Sequence, residues 1–461
     1  VQSPRPATLG ALRESAHVHR GVRDEIRQNL LVQLASGRDR FPGVVGFDQT
    51  VLPQLERALL ARHHVVLLGE RGQGKTRLMR AITDLLDEWT PAVRGCEIND
   101  HPYAPACPRC QSQVHKLGEK LPIIWRHRSE RYAEKLATPD TAVGDLLGDV
   151  DPIRVAEGRP LGDPDTMHYG LVPRANRGVF AINELPELGE RIQVALLNVL
   201  AEQDIQIRGY AVRLPLDLLL IATANPEDYT NRGRIISPLK DRFGAEIRTH
   251  YPLDLNHEIV LLRQEAELAA EVPGHLIEII ARFTRLVRES SSVDSRSGVS
   301  SRFAVAAAET AAASALRRAA LTGERPAVAR VGDLPGIVET LRGKVEFEPG
   351  EEGREQEILL HLLRRATADT FRARISGADL TGLAARFEDG RTVTTGDLVP
   401  AGELLAQVGP VSGLANLLRR VGVQEESPAL AAAALEFAME GMHLNKRLGK
   451  EEIRDRTVYS G

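Results

Sequence analysis

A few short stretches carry residue types that can do chemistry together. Gly69-Glu70-Arg71-Gly72-Gln73-Gly74-Lys75-Thr76 has the spacing G-x-x-x-x-G-K-T, the pattern of a phosphate-binding loop. Three glycines let the backbone curl so that successive N–H groups and a helix N-terminus face an anion. Lys75 can reach the β- and γ-phosphates of a nucleotide, and the Thr76 hydroxyl can ligate Mg²⁺. The competing reading is a glycine-rich turn with no ligand. Further on, the apolar run Val179-Phe180-Ala181-Ile182 ends in Asn183-Glu184. Glu184 is placed to orient or deprotonate a water, or else to serve as a helix N-terminal carboxylate before Pro186 and Glu187. Asn225 ends a second apolar run and could touch a phosphate or the water; otherwise it is an amide in a tight turn with Pro226. Arg242 follows Lys240-Asp241 and taken alone is a surface arginine. Finally, Cys107-Pro108-Arg109-Cys110 is a C-x-x-C knuckle, and Cys96 or His101 could complete a tetrahedral Zn²⁺ site. The alternative there is three thiols without a metal.

Several elements must hold these groups. Val65 to Leu68 reads as a buried strand running into the glycine loop. Thr76 to Leu86 reads as the helix leaving it, with Leu78, Ile82, Leu85 and Leu86 on one face. A helix from Glu190 to Ala201 turns Ile192, Leu196, Val199 and Leu200 inward. Ile205 to Arg208 and Val212 to Leu214 alternate around Gly209-Tyr210, a hairpin signal. Leu218 to Ala224 reads as a buried strand ending at Asn225. Upstream, a disordered start leads to an amphipathic helix, Val22 to Leu34. Phe41-Pro42-Gly43-Val44-Val45-Gly46 breaks it. A helix from Thr50 to Arg62 follows, with Val51, Leu52, Leu55 and Leu59 facing a core.

Between the loop's helix and the strand before Asn183 lie about a hundred residues, more than a βαβ crossover needs. The cysteines fall in this insertion, as does the basic stretch Trp125 to Arg131, read as a solvated strand end. Beyond residue 302 the expectation is largely helical: an Ala-rich helix from Ala304 to Ala320, a strong one from Glu355 to Arg372, and a last one from Pro428 to Met442. A solvated basic tail follows near Lys446 to Lys450.

The chain has 461 residues, enough for two or three domains with a large core. Its net charge of −4 gives no bulk reason to expect nucleic acid or a membrane surface as partner. No apolar run approaches the length of a membrane span, and no secretory signal follows Val1. Three cysteines do not make a disulfide framework, so a reducing cytoplasm is the expected setting.

Read in order, G-E-R-G-Q-G-K-T, A-N-R-G-V-F-A-I-N-E, a hairpin, A-N-P-E-D and L-K-D-R-F resemble the AAA+ ATPases. Within them the chain resembles the helix-2-insert branch, the MoxR proteins and the ATPase (I) subunit of magnesium chelatase. Ala137-Thr138-Pro139-Asp140, Val143-Gly144-Asp145-Leu146 and Tyr169 to Gly178 extend the match, which is dense from Phe41 to Pro252. The cysteine stretch also resembles one in some chelatase-type ATPases, where a further Cys sits near position 100 or 101.

The resemblance implies an α/β phosphate-loop domain with a parallel sheet, then an all-α lid and a helical C-terminal region. The boundaries expected are 1–40 for an N-terminal extension, 41–253 for the ATPase domain with an insertion at about 90–175, 254–345 for the lid and 346–461 for the remainder. It implies that Gly69, Glu70, Arg71, Gly72, Gln73, Gly74, Lys75 and Thr76 bind ATP and Mg²⁺, with Val45 and Gly46 against the adenine. Glu184 would polarise water, Asn225 would sense the γ-phosphate, and Arg242 would reach a neighbouring subunit's site as an arginine finger. In Gly298-Val299-Ser300-Ser301-Arg302, Arg302 would be a second sensor or, read locally, a capping arginine. The implied assembly is a homo-oligomeric ring, hexameric in such proteins, acting on a partner with a von Willebrand A domain and no direct nucleic acid.

One position departs from that pattern. Many phosphate-loop enzymes hold Mg²⁺ with an Asp where this chain has Asn183, and an amide brings no charge to the ion. The leading expectation is therefore an ATPase motor that remodels a partner protein or a metal-insertion enzyme. A scaffold that binds ATP and hydrolyses little is the second. An activator of alternative-sigma transcription is the third, against which stands the absence of G-A-F-T-G-A from the sequence.

Overall fold

The computed structural model describes the chain except residues 1–4, 152, 154–155, 158–165, 202–203, 208–209, 227–234, 295–297, 376–379, 389, 424–426 and 454–455. The chain forms two compact units, residues 1–250 and 251–461.

The first unit is built on five parallel strands: β1 (Val65–Leu68), β4 (Tyr132–Leu136), β7 (Gly178–Asn183), β10 (Leu218–Ala224) and β11 (Ala245–Arg248). Their order across the sheet is β11-β1-β10-β7-β4. β1 and β10 are buried along their whole length, because central parallel strands are covered on both faces. Alternate residues divide between the two layers, as the period of two requires. Val66, Leu68, Phe180, Ile182, Leu220 and Ala222 enter one apolar cluster. Val65, Leu67, Val179, Ala181, Leu219 and Ile221 enter the other. Helices Val22–Ser36, Val51–Leu60 and Lys75–Ala81 close the second layer with Val22, Ile26, Leu55, Leu59, Leu78 and Met79. Helix Glu190–Ala201 and the cysteine-bearing loop close the first.

The segment that the sequence sets apart as an N-terminal extension thus contributes a helix to this unit. Glu25 on that helix makes a two-pronged ion pair with Arg131, at 2.7 and 2.8 Å, with both side chains buried. The insertion is also partly framework. β2 (Trp89–Val93) pairs antiparallel with β3 (Ile123–His127), and β4 joins the central sheet. β5 (Gly148–Val150) pairs with β6 (Met167–Tyr169), and β8 (Asp204–Ile207) with β9 (Tyr210–Arg213) as the expected hairpin, whose turn lies outside the described residues.

The second unit is mostly helical, with long helices Gly274–Glu289, Ser301–Thr322, Glu355–Arg374 and Pro428–Leu444 around one apolar cluster. Ala304, Ala307, Ala308, Ala311, Ala312 and Ala315 form the buried stripe of Ser301–Thr322. A Cβ on Gly441 would meet the Phe371 ring at 1.9 Å, so the last long helix needs a glycine there. The sequence did not disclose a three-stranded antiparallel sheet in this unit, in which β14 (Arg456–Ser460) lies between β12 (Thr392–Gly396) and β13 (Gly449–Ile453). Lys450, expected in a solvated tail, sits on β13 and pairs with Glu440 at 3.1 Å. No helix among the described residues is long and apolar enough to cross a membrane.

Candidate functional site

The C-terminal ends of the central strands gather the predicted chemistry, which is where open parallel sheets place ligands. β1 runs into the glycine loop, and helix Lys75–Ala81 leaves it. Gly72 and Gly74 have φ of 75° and 76°, the left-handed region that side chains resist. Gly69 is required for space: a Cβ there would meet Thr249 Oγ1 at 2.0 Å and Gln73 Oε1 at 2.3 Å. Thr249, just past β11, donates through Oγ1 to Gln73 Oε1 at 2.7 Å and through its N–H to Leu68 O at 2.8 Å, bracing the loop.

Lys75 Nζ donates to Gly69 O, to Glu70 O at 2.8 Å and to Asn225 Oδ1 at 2.9 Å. The expected phosphate-binding lysine and the expected γ-phosphate sensor are therefore brought together. Thr76 Oγ1 donates to Asn183 Oδ1 at 3.3 Å, so the two residues expected at Mg²⁺ also meet. Glu184 sits beside them with φ 58°. For a glutamate that conformation costs about 1–3 kcal/mol and is commonest at functional sites. Its N–H is tied to Thr223 Oγ1 at 3.0 Å.

Other predicted residues lie farther out. The turn of Val45 and Gly46 has Gly46 at φ 80°. Two residues earlier, a Cβ on Gly43 would meet Arg77 Nη2 at 2.5 Å, which puts this turn against the helix after the loop. Arg242 closes helix Ser237–Arg242, anchored by buried Leu239 and Phe243, while its own side chain is 51% exposed. Its guanidinium approaches the carboxylate of its neighbour Asp241 at 4.0 Å. Arg302 belongs to the second unit, exposed at the start of helix Ser301–Thr322.

The cysteine site needs a correction. Cys96, Asp100, Cys107 and Cys110 each offer a ligand atom, and these atoms lie within 4.8 Å of one another. His101 is not among them. It faces the other way, with Nε2 3.2 Å from His17 Nε2 and Nδ1 accepting from the Tyr103 N–H at 3.1 Å. Its ring stacks against His17 and packs on His19. Both residues are buried, but it is Asp100 whose side chain meets the sulfurs. Backbone N–H groups already point at two of the sulfurs: Asp100 N to Cys96 Sγ and Cys110 N to Cys107 Sγ, both at 3.3 Å. Asp100 Oδ2 accepts from the Cys107 N–H at 2.8 Å, while Oδ1 is buried with no hydrogen-bond partner among the described residues. Hydrogen bonds from Cys107 and Cys110 hold the Cys96 thiol well below the usual thiol range. Burial and the nearby Cys96 raise the Asp100 carboxyl to about 6.

Two site residues escaped sequence reasoning. Thr223 donates to Asn183 Oδ1 at 3.4 Å and receives the Glu184 N–H; its signal was a hydroxyl two residues before Asn225. Glu134, on β4, accepts from Asn183 Nδ2 at 2.6 Å. Burial pushes its carboxyl up, but hydrogen bonds from Arg80, Tyr132 and Asn183 and the Arg80 charge outweigh that, and it lies below the usual range.

Comparison with known proteins agrees with this geometry. The family model for the Sigma-54 interaction domain matches residues 161–242. Magnesium-chelatase subunit ChlI of Guillardia theta is 31% identical over 207 residues, 44% of this chain and 55% of that protein. The magnesium-chelatase 38 kDa subunit of Cereibacter sphaeroides is 30% identical over 215 residues, 44% and 56% of the two chains. ChlI-2 of Arabidopsis thaliana is 30% identical over 227 residues, 48% and 51%. The chain spans about half the length of the curated relatives it matches. A phosphate loop on the second strand of a β11-β1-β10-β7-β4 parallel sheet agrees with that sequence likeness: this chain resembles the AAA+ ATPases and, among them, the I subunits of magnesium chelatase.

Proposed function

We propose that this chain binds ATP with Mg²⁺ and hydrolyses it, as one subunit of a homo-oligomeric ring that acts on a partner protein. The observation that carries this reading is the meeting of Lys75 with Asn225, at 2.9 Å, and of Thr76 with Asn183, at 3.3 Å, beside Glu184. This donor set fits a nucleotide. The positive φ of Gly72 and Gly74 curls the loop around an anion, and the absence of a Cβ at Gly69 lets the loop close on Thr249. Thr76 and Asn183 would hold Mg²⁺, which when bound neutralises charge on the phosphate oxygens. Lys75 would bind the β- and γ-phosphates. Glu184 would orient the attacking water and take its proton. Asn225 would donate its amide to the γ-phosphate.

Arg242 would stabilise the transferring phosphoryl group of an adjacent copy, since a cation there offsets charge that grows in the transition state. Its exposure supports that role, and a finger working in trans needs head-to-tail packing in a closed ring. A hexamer, a partner with a von Willebrand A domain and a γ-phosphate contact from Arg302 rest on the family resemblance. So does the choice between a metal-insertion enzyme and another protein complex as client. The family match at 161–242 favours sigma-type activation as an alternative, but it covers nucleotide-site elements, and the G-A-F-T-G-A pore loop typical of such activators is absent from the sequence.

An ATPase assay on the purified chain beside Glu184→Gln tests the motor reading. Removing the carboxylate is expected to lower turnover about 100-fold or more. A wild-type rate no higher than that of Glu184→Gln leaves the scaffold reading in its place.

The cysteine cluster supports a second reading, a structural Zn²⁺ held by Cys96, Cys107, Cys110 and Asp100. A tetrahedral thiolate centre sets its sulfurs about 3.8 Å apart, within the spacing of this cluster. The orphaned Asp100 Oδ1 is the specific observation in its favour, because a buried carboxylate oxygen without a partner costs stability unless a cation meets it.

A further inference from the structure

Position 183 lacks a carboxylate, yet one stands a single hydrogen bond away on the adjacent strand. β4 and β7 run parallel with Leu136 level with Asn183 and Glu134 level with Ala181. From there Glu134 Oε1 receives the Asn183 amide N–H at 2.6 Å. Its other oxygen receives Arg80 Nε at 2.9 Å and the Tyr132 hydroxyl at 3.0 Å. Arg80 lies on helix Lys75–Ala81, so Glu134 ties the phosphate-loop helix to Asn183.

These contacts settle which way the amide faces. Its nitrogen must point at Glu134, since the reverse would set an amide oxygen against a carboxylate oxygen at 2.6 Å. Its oxygen is left facing Thr76 Oγ1 at 3.3 Å and Thr223 Oγ1 at 3.4 Å. A hydrogen bond to a carboxylate also draws electron density toward the amide oxygen.

We propose that Glu134 is the positioning residue for Mg²⁺ in this site: it locks the Asn183 amide with its oxygen toward Thr76 and supplies, through that amide, the negative charge an aspartate at 183 would carry itself. The inference rests on the ATP–Mg²⁺ reading above. It differs from a plain surface ion pair, in which Glu134 serves only Arg80.

The test is Mg²⁺-dependent binding of a fluorescent, non-hydrolysable ATP analogue, read as the MgCl₂ concentration at half-maximal binding, with folding followed by circular dichroism. Glu134→Gln is expected to raise that concentration about tenfold while affinity in EDTA stays within twofold of wild type. Arg80→Ala, which removes only the ion pair, is expected to raise it less than threefold. Asn183→Asp alone places two carboxylates in contact and is expected to bind Mg²⁺ more weakly than Asn183→Asp/Glu134→Gln, in which the charge has moved one strand over. Glu134→Gln that binds the analogue at the wild-type Mg²⁺ concentration overturns the inference. Should Glu134→Gln not fold, the other pair decides: Asn183→Asp binding Mg²⁺ at least as tightly as the double variant also overturns it. A wild-type chain that binds no analogue at any Mg²⁺ concentration instead removes the ATP reading itself.

Discussion

Lys75 Nζ and Asn225 Oδ1 stand 2.9 Å apart, joining the phosphate loop to the end of β10. The amide accepts one ammonium proton while Gly69 O and Glu70 O accept others. The lysine is thereby held over the loop. Asn225→Ala should leave nucleotide binding nearly intact, because the loop N–H groups and Lys75 remain. It should lower kcat by about 10- to 100-fold with KM within about threefold, as expected for a contact that matters most in the transition state. Asn225→Asp should behave differently. A carboxylate beside Lys75 would pair with the ammonium and oppose the phosphates, so nucleotide affinity itself should fall. Steady-state kinetics with a binding titration on both variants separate the two effects; equal loss of affinity in both would contradict them.

Arg242 is half exposed and closes its helix at the surface. A group that completes a neighbour's site can be supplied by a different copy from the one that binds nucleotide. Arg242→Ala alone and Lys75→Ala alone should each be nearly inactive as ATPases. Mixed at equal concentration, they should recover measurable turnover, since some interfaces then pair an intact Lys75 with an intact Arg242. A mixture as inactive as its parents would place the arginine outside a shared site.

How much of this could be read in the sequence follows how local each feature is. The phosphate loop was legible because strand, glycine turn and helix are contiguous, and each constrains the next. Asn183, Glu184 and Asn225 were legible because each ends an apolar run. Glu134 was not, since its partner lies 49 positions away and they meet only when β4 pairs with β7. The docking of Val22–Ser36 turns on Glu25 meeting Arg131, 106 positions on. His101 and Asp100 are adjacent, and composition favours the histidine as a metal ligand; the direction each side chain takes is set by the loop backbone. The sheet of β12, β13 and β14 was hidden because its strands are rich in Thr, Glu and Lys and carry few apolar residues to show alternation.

His275 gives the second unit an acid sensitivity. It is fully buried, stacks on Phe437 at 4.7 Å, and neither ring nitrogen has a hydrogen-bond partner among the described residues. Burial, with Arg374 nearby, lowers its pKa to about 3. Arg374 itself is paired with Glu278 at 2.7 Å. A folded pKa below the unfolded one means the neutral form is favoured by folding. That contribution is present above about pH 6.5 and is lost as pH falls toward 3. At pH 4.5 the loss should be of order 3 kcal/mol. His275→Leu should be at least as stable as wild type at pH 7.5, because an apolar side chain leaves no unmet donor. It should also lose less stability on acidification. Urea unfolding at pH 7.5 and 4.5 checks both, and parallel acid curves for the two proteins would remove His275 as the cause.

The metal reading turns on Asp100 rather than His101, and the two make opposite forecasts. Four ligand atoms within 4.8 Å, three of them sulfur, suit a cation that prefers thiolate. Chain purified without chelator should carry about one Zn²⁺ per molecule by elemental analysis. Cys110→Ser and Asp100→Ala should each lose most of it, whereas His101→Ala should keep it. The cluster packs in the same apolar layer as Phe180 and Ile182, so losing the metal should cost stability as well. Stripping Zn²⁺ with a strong chelator should lower the unfolding temperature of wild type and leave Cys110→Ser unchanged, since that variant has none to lose. Zinc retained by Asp100→Ala but lost from His101→Ala would restore the histidine as ligand. Wild type free of zinc and indifferent to the chelator would leave three buried thiols and an aspartate with no ion to explain them.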